Sequence, residues 1–271
     1  MKHTFLPCVG LLIATGILVG IWSCAPAGHG TSSPAVGLPS QTRGTGELVG
    51  ILAKRIDRFR SLRSLAKVYY WSTEERGSIQ GAILVRRPVR LRLETLSPLG
   101  AIFILTADGD EVVGFDPRKG ILYRGRASKK NLVRYTLIPL ELRDLTSILM
   151  GLPPVDIEGT WKGEGLRIEW SLSGGGSEVV TFDPAMGIPV GWERMGSDGE
   201  LEISAVFSDF VSTPAGPFPL SISLESYSSS QEERIEIRYQ EPEVNVAIPA
   251  SFFVQQRPDR VREVPLESLG G

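Results

Sequence analysis

The chain has 271 residues, a near-balanced charge of 29 Lys+Arg against 31 Asp+Glu, and only two cysteines and two histidines. A net charge of −2 with no long basic run is not the electrostatic footprint of a nucleic-acid-binding protein, so no nucleic-acid partner is expected. His3, Cys8, Cys24 and His29 all fall at the N-terminal end, so the remainder cannot build Ser-His-Asp or Cys-His catalysis, a His/Cys zinc site or a disulfide.

At the N-terminus Lys2 precedes an apolar run from Phe5 to Trp22, and small residues lead out of it into Ile21-Trp22-Ser23-Cys24. A positive start, an apolar core and a small-residue exit form a secretory signal, expected over residues 1–23. With a cysteine directly after the exit, the segment resembles a bacterial lipobox, which implies cleavage before Cys24 and lipid on its thiol. An uncleaved anchor is the alternative, since about 18 apolar residues nearly span a bilayer; the position of Cys24 favours lipidation. Residues 24–46, rich in Gly, Pro and Ser, read as a flexible tether. Ala25 stands where an Asp commonly retains lipoproteins at the inner membrane in bacteria with Lol sorting. The expected location is therefore the outer membrane, lipid-anchored, on the periplasmic face.

A folded domain is expected over residues 47–256. From Glu47 to Leu62, Leu48, Ile51, Leu52, Ile56 and Phe59 recur at helical spacing, with Lys54, Arg55, Asp57, Arg58 and Arg60 on the other side. That basic side is a solvated face or, less commonly, a contact for anionic lipid. Strand signals follow over 65–72, 77–87, 89–96, 101–107, 111–115 and 120–124, with Asp108-Gly109-Asp110 as a hairpin turn. Val89, Leu91 and Leu93 alternate with Arg90, Arg92 and Glu94, giving one dry and one wet face. Ala101-Ile102-Phe103-Ile104-Leu105 is apolar on both faces and needs cover on both, or marks a hydrophobic surface.

A second helix is expected from Pro139 to Gly151, bringing Leu142, Leu145, Ile148 and Leu149 together and ending at Gly151 and Pro153-Pro154. Strands resume over 166–173, 177–182, 188–195, 200–210, 219–227 and 233–239, and residues 257–271 read as a loosely held tail. Gly174-Gly175-Gly176 is a hairpin turn, since no Lys-Ser/Thr follows it and it opens no helix. With scattered carboxylates as the remaining catalytic chemistry, no catalytic residue, metal or cofactor is assigned and the chain is not read as an enzyme. About a dozen closely spaced antiparallel strands with two helices make a mainly β fold, a meander curling towards a barrel.

One order of features carries a family resemblance. A short lipidated tether precedes a helix and curved meander strands; Ser97-Pro98-Leu99-Gly100 lies between two strands; a helix ends in Met150-Gly151-Leu152-Pro153-Pro154. From Glu47 to Pro154 this resembles the LolB family of outer-membrane lipoproteins, within the LolA/LolB/LppX-like superfamily. A weaker echo continues through Phe207-Ser208-Asp209-Phe210 and Pro217-Phe218-Pro219-Leu220. The resemblance implies a half-open antiparallel β-barrel with helices covering its concave side and an apolar cavity for the acyl chains of a lipoprotein. It further implies a periplasmic LolA-like carrier as partner and a membrane-contact loop at Pro98, Leu99 and Gly100. The candidates for lining the cavity are Leu91, Leu93, Ile102, Ile104, Phe115, Leu122, Leu145 and Leu149, each of which is equally suited to an ordinary core. Leu99 has its own alternative, folding back onto the sheet as turn leucines commonly do. The chain departs from the family in a longer C-terminal half, with Val244-Asn245-Val246-Ala247-Ile248-Pro249 and Phe252-Phe253 beyond the expected end, and in dense Gly and Pro from Gly151 to Gly191. Those departures leave open a carrier or sensor of another lipid or glycolipid, and a structural or interaction lipoprotein with a packed interior.

Overall fold

The structure, a computed structural model, describes residues 43–228 and 231–269. The signal segment, most of the tether and Cys24 lie outside the described residues.

The chain opens with helix α1 (Thr45–Arg58). Six strands follow: β1 (Ser61–Trp71), β2 (Arg76–Arg86), β3 (Arg90–Ser97), β4 (Gly100–Asp108), β5 (Glu111–Asp116) and β6 (Ile121–Arg126). Helices α2 (Lys129–Thr136) and α3 (Leu142–Leu149) come next. The second run comprises β7 (Trp161–Glu164), β8 (Arg167–Ser171), β9 (Ser177–Phe182), β10 (Pro189–Met195), β11 (Leu201–Thr213), β12 (Gly216–Ser228) and β13 (Gln231–Val244), and β14 (Arg262–Pro265) ends it. All fourteen strands join one curved, open sheet in the order β14-β6-β5-β4-β3-β2-β1-β13-β12-β11-β10-β9-β8-β7. Each run is a meander of hairpins, and β1 pairing with β13 joins the two, with Val68 opposite Ile237 and Tyr70 opposite Ile235.

The pleat decides what the concave side holds. Leu62, Ala66 and Val68 of β1 share a face with Val85, Gly81 and Ile79 of β2, their register partners, and with Leu91 and Leu93 of β3. Against that face lie Leu48 and Leu52 of α1, both with no exposed surface, and Leu145, Ile148 and Leu149 of α3. Arg55 departs from the expected exposed face of α1. It is buried over the Phe59 ring, 4.7 Å from its centroid, and donates through Nη2 to the Pro217 carbonyl at 3.0 Å. Burial pulls its pKa down to about 10.

Three helices rather than two cover the concavity. The unexpected one, α2, is short and polar, so no apolar period announces it; Ser128 caps its N-terminus, accepting from the Asn131 N–H. It is held by long-range contacts, with Leu132 fully buried and Asn131 Nδ2 donating to the Arg126 carbonyl (2.9 Å) and to Glu267 Oε1 (3.1 Å). Helix α3 stops as expected at Gly151, which takes φ 67° while Leu152 N–H reaches back to the Ser147 carbonyl at 3.1 Å. A side chain at Gly151 would also collide with the Pro219 ring.

The C-terminal residues 257–269 correct the expectation of a loose tail. Here β14 pairs parallel to β6, Leu266 is completely buried in the main core, and Glu267 accepts from the Arg126 N–H at 2.9 Å. The segment has little apolar period because it lies on a surface already built, contributing single anchors such as Val261 and Leu266.

Candidate functional site

An apolar cavity of about 360 Å³ lies between the sheet and the helices. Its walls come from Val68 of β1, Ile79 and Ile83 of β2, Leu93 of β3, Phe103 and Leu105 of β4, Leu224 of β12, and Ile235 and Ile237 of β13. Tyr135 of α2 and Leu145, Ile148 and Leu149 of α3 roof it. Phe103 and Tyr135 stack with centroids 5.3 Å apart, which ties α2 to β4. Burial pushes the Tyr135 hydroxyl up to about 12, so it stays neutral in this greasy setting. The C-terminal end of α3 is fixed by Tyr239, which donates to the Leu149 carbonyl at 2.9 Å. Ile79 at 36% exposure marks the opening.

Of the eight residues expected to line a cavity, Leu93, Leu145 and Leu149 do so. Leu91 shares the inward face of β3 but is fully buried in the main core and does not line it. Ile102, Ile104, Phe115 and Leu122 are corrected, because none of them lines the cavity. Ile104 pairs with Phe115 and Phe115 with Leu122, so the three share the convex side, and Ile102 is the unpaired residue where the β3–β4 register shifts between Phe103 and Ala101. The doubly apolar run of β4 did need cover on both faces. Its outer face takes that cover from the C-terminal chain: Gln255 Nε2 donates to the Val113 carbonyl (3.0 Å) and the Ile104 carbonyl (3.3 Å), and Val261 packs with Phe115 and Leu122. Periodicity assigns two faces to such a strand without saying which is inward. The wall residues passed over had a legible signal in β13, where Ile235 and Ile237 alternate with Arg234, Glu236 and Arg238.

Pro98 and Leu99 form the turn of the β3–β4 hairpin, between Ser97 and Gly100, which pair. Ser97 Oγ accepts from the Leu99 N–H (3.3 Å) and donates to the Gly100 carbonyl (2.9 Å), closing the turn. Leu99 is 100% exposed, so it does not fold back onto the sheet. The hairpin stands at the cavity edge: Thr95 and Phe103, which border the cavity, are paired a few residues from the tip.

A second cleft, about 480 Å³, opens on the other side of α3. Arg143, Asp144 and Ser147 of α3 line it together with Trp170, Glu178 and Arg194 of β8–β10, Arg87 and the 153–157 loop. Arg194 Nη2 donates to Asp144 Oδ2 (2.8 Å) and to Glu178 Oε1 (2.7 Å), joining two carboxylates through one guanidinium. The Glu178 side chain is 1% exposed, and its pKa is raised because desolvation outweighs the attraction of Arg194. Asp144 is held by the same cation, so the pair reads as an ion triad. Among the described residues no group of three or more metal-ligating side chains converges.

No family model and no curated protein sequence matches the chain. Solved structures do. A Vibrio parahaemolyticus domain named as an outer membrane lipoprotein-sorting protein aligns with TM-score 0.56 at 12% identity, over 78% of this chain and 97% of its own. A LolA superfamily protein from Nitrosomonas europaea aligns with TM-score 0.54 at 13% identity, over 79% and 99%. A DUF1329 family protein from Desulfovibrio piger gives TM-score 0.55 at 9% identity, over 78% and 97%. At these identities the likeness is one of fold: a curved, open, antiparallel-dominated sheet with helices on its concave side, as in the LolA superfamily.

Proposed function

We propose that the protein is a periplasm-facing lipoprotein that takes acyl chains into the apolar cavity under α2 and α3 and passes them to a membrane. The observation that carries this reading is the cavity itself, walled by aliphatic and aromatic side chains and open beside a hairpin whose tip leucine has no protein contact to make. Each buried methylene contributes about 0.8 kcal/mol, so a dry cavity holds a chain without any catalytic group. Delivery then requires only that the membrane hold the chain more tightly. Leu99 is the residue for membrane contact in this reading, flanked by Pro98 and Gly100. The LolB-like version has lipoprotein acyl chains as cargo, arriving from a soluble carrier, and places the protein at the outer membrane through lipid on Cys24. The names of two of the similar structures, a lipoprotein-sorting domain and a LolA superfamily protein, favour that version over a carrier of other lipids.

A polarity-sensitive fluorescent fatty acid tests the cavity. It should bind the wild type saturably and be displaced by palmitate, and Leu93→Trp, which fills the cavity from β3, should abolish binding while the protein stays folded. Equal binding by Leu93→Trp, or none by the wild type, overturns the reading. The anchor has its own test: radiolabelled palmitate should enter the wild type in cells and not Cys24→Ser, and a labelled Ser variant rules out lipidation at that thiol.

A further inference from the structure

The corner of the sheet at β5 and β6 gathers positive charge from two distant parts of the sequence. The β5–β6 turn carries Arg118 and Lys119, both exposed, and Asp116 fixes its shape, Oδ1 accepting from the N–H of each at 3.0 Å. The C-terminal chain returns to the same place. There β14 pairs parallel with β6, Arg262 lies opposite Ile121, and the Arg262 N–H donates to the Gly120 carbonyl at 3.0 Å. That pairing sets exposed Arg260 and Arg262 beside the turn, with Arg257 exposed just upstream. Val261, buried with Val113 and Leu122, pins the segment to the sheet, and its carbonyl accepts from Arg257 Nε at 2.9 Å. Five cations thus share the corner with two carboxylates, Asp116 and Asp259. Lys119 pairs with Asp116 at 3.5 Å, and none of the four arginines has an ion-pair partner among the described residues. Glu263, the next residue along, is taken by Arg124 at 3.2 Å.

Like charges gathered at one corner repel, so they cost the fold stability rather than add to it. Their place gives them a use. In an antiparallel meander alternate turns fall at the same end of the sheet, so the β5–β6 turn stands at the end where the β3–β4 turn carries Leu99. The two hairpins are two strands apart, about 10 Å along the sheet. Glu74 and Glu75, on the β1–β2 turn at that end, are four strands away, about 19 Å and more than two Debye lengths at physiological salt. A wholly exposed leucine beside a fixed group of cations suits a bilayer surface, the apolar side chain entering the hydrocarbon boundary while the cations meet headgroup phosphates. We propose that this corner is a docking surface for anionic phospholipid, holding the Leu99 hairpin against the membrane. The proposal rests on the reading of Leu99 as the membrane-contact residue, and it gives the C-terminal segment a task, since residues 257–262 supply three of the five cations.

Vesicle co-sedimentation of the mature chain carrying Cys24→Ser, which removes any lipid anchor, tests the surface. Vesicles of equimolar phosphatidylcholine and phosphatidylglycerol should bind at least about tenfold more tightly than phosphatidylcholine alone, and high salt should remove the difference. Arg118→Ser with Lys119→Ser, and Arg260→Ser with Arg262→Ser, should each weaken binding to the mixed vesicles by about tenfold, since each cation near an anionic surface contributes severalfold. Binding to phosphatidylcholine alone should not change. Lys162→Ser with Arg167→Ser removes the same charge at the opposite edge of the sheet, on β7 and β8, and should leave binding to the mixed vesicles as in the wild type. All six substituted residues are exposed, so the variants keep the fold. No preference for the mixed vesicles, wild-type binding by either corner variant, or an equal loss in the opposite-edge variant overturns the proposal. Failure of the acyl reading would show as absent fatty-acid binding with the vesicle preference intact; failure of this proposal would show as the reverse.

Discussion

Helix α3 divides one concave surface into two unlike spaces. On one side Leu145, Ile148 and Leu149 face an aliphatic cavity; on the other Arg143, Asp144 and Ser147 face a cleft floored by Glu178 and Arg194. Eight residues serve both because a helix repeats every 3.6 residues, so positions three and four apart share a stripe and their neighbours make another. The two spaces resist water by opposite means. The cavity is mostly apolar, with Glu94, Thr95, Arg134 and Thr136 the polar residues of its lining, so its cost is chiefly lost packing. The cleft buries charge, so it depends on exact partners, and a single deletion there leaves an uncompensated ion.

The largest effect should come from the cleft. Arg194→Ala leaves Glu178 and Asp144 facing each other without their shared cation, and should cost about 3 kcal/mol. That is the low end for a buried pair, chosen because Arg194 and Asp144 each keep 15% exposure. Chemical denaturation at neutral pH reads it. The loss should shrink in acid as Glu178 takes a proton: its folded pKa is raised, so the penalty for its charge exists above that pKa and is relieved below it. A loss independent of pH would mean that the ion triad does not set the stability of this side.

On the cavity side the blocking variant Leu93→Trp should move the denaturation midpoint by less than about 1.5 kcal/mol, because the new ring enters empty space rather than packed core. A large destabilisation would mean that the cavity closes in solution, and the contrast between the two sides would collapse. The smallest stability effect belongs to Leu99→Asp, within about 0.5 kcal/mol, since the side chain is wholly exposed. Fatty-acid binding should persist in that variant, while transfer of the probe to vesicles falls severalfold because a carboxylate resists entry into hydrocarbon. Transfer at the wild-type rate would remove Leu99 from the mechanism and leave the cavity standing.

The sequence by itself determined the local elements. Alternation placed twelve of the strands, because a residue's side in a strand is fixed by parity alone. Helical period and Gly151 bounded α3, and the Ser97–Gly100 turn set Leu99 at a hairpin tip. Tertiary structure decided everything that depends on which surface meets which. It put Phe115 and Leu122 under the C-terminal chain and turned Ile104 to the same outer face, a choice that β4, apolar on both faces, leaves open. It formed α2 from a polar segment and seated 262–268 on β6, because both are held by distant partners such as Glu267 and Asn131, 136 residues apart. It also brought Asp144, Glu178 and Arg194 together from α3, β9 and β10. No local pattern announces such a triad, since the free energy that permits its burial comes from partners that only the closed fold supplies.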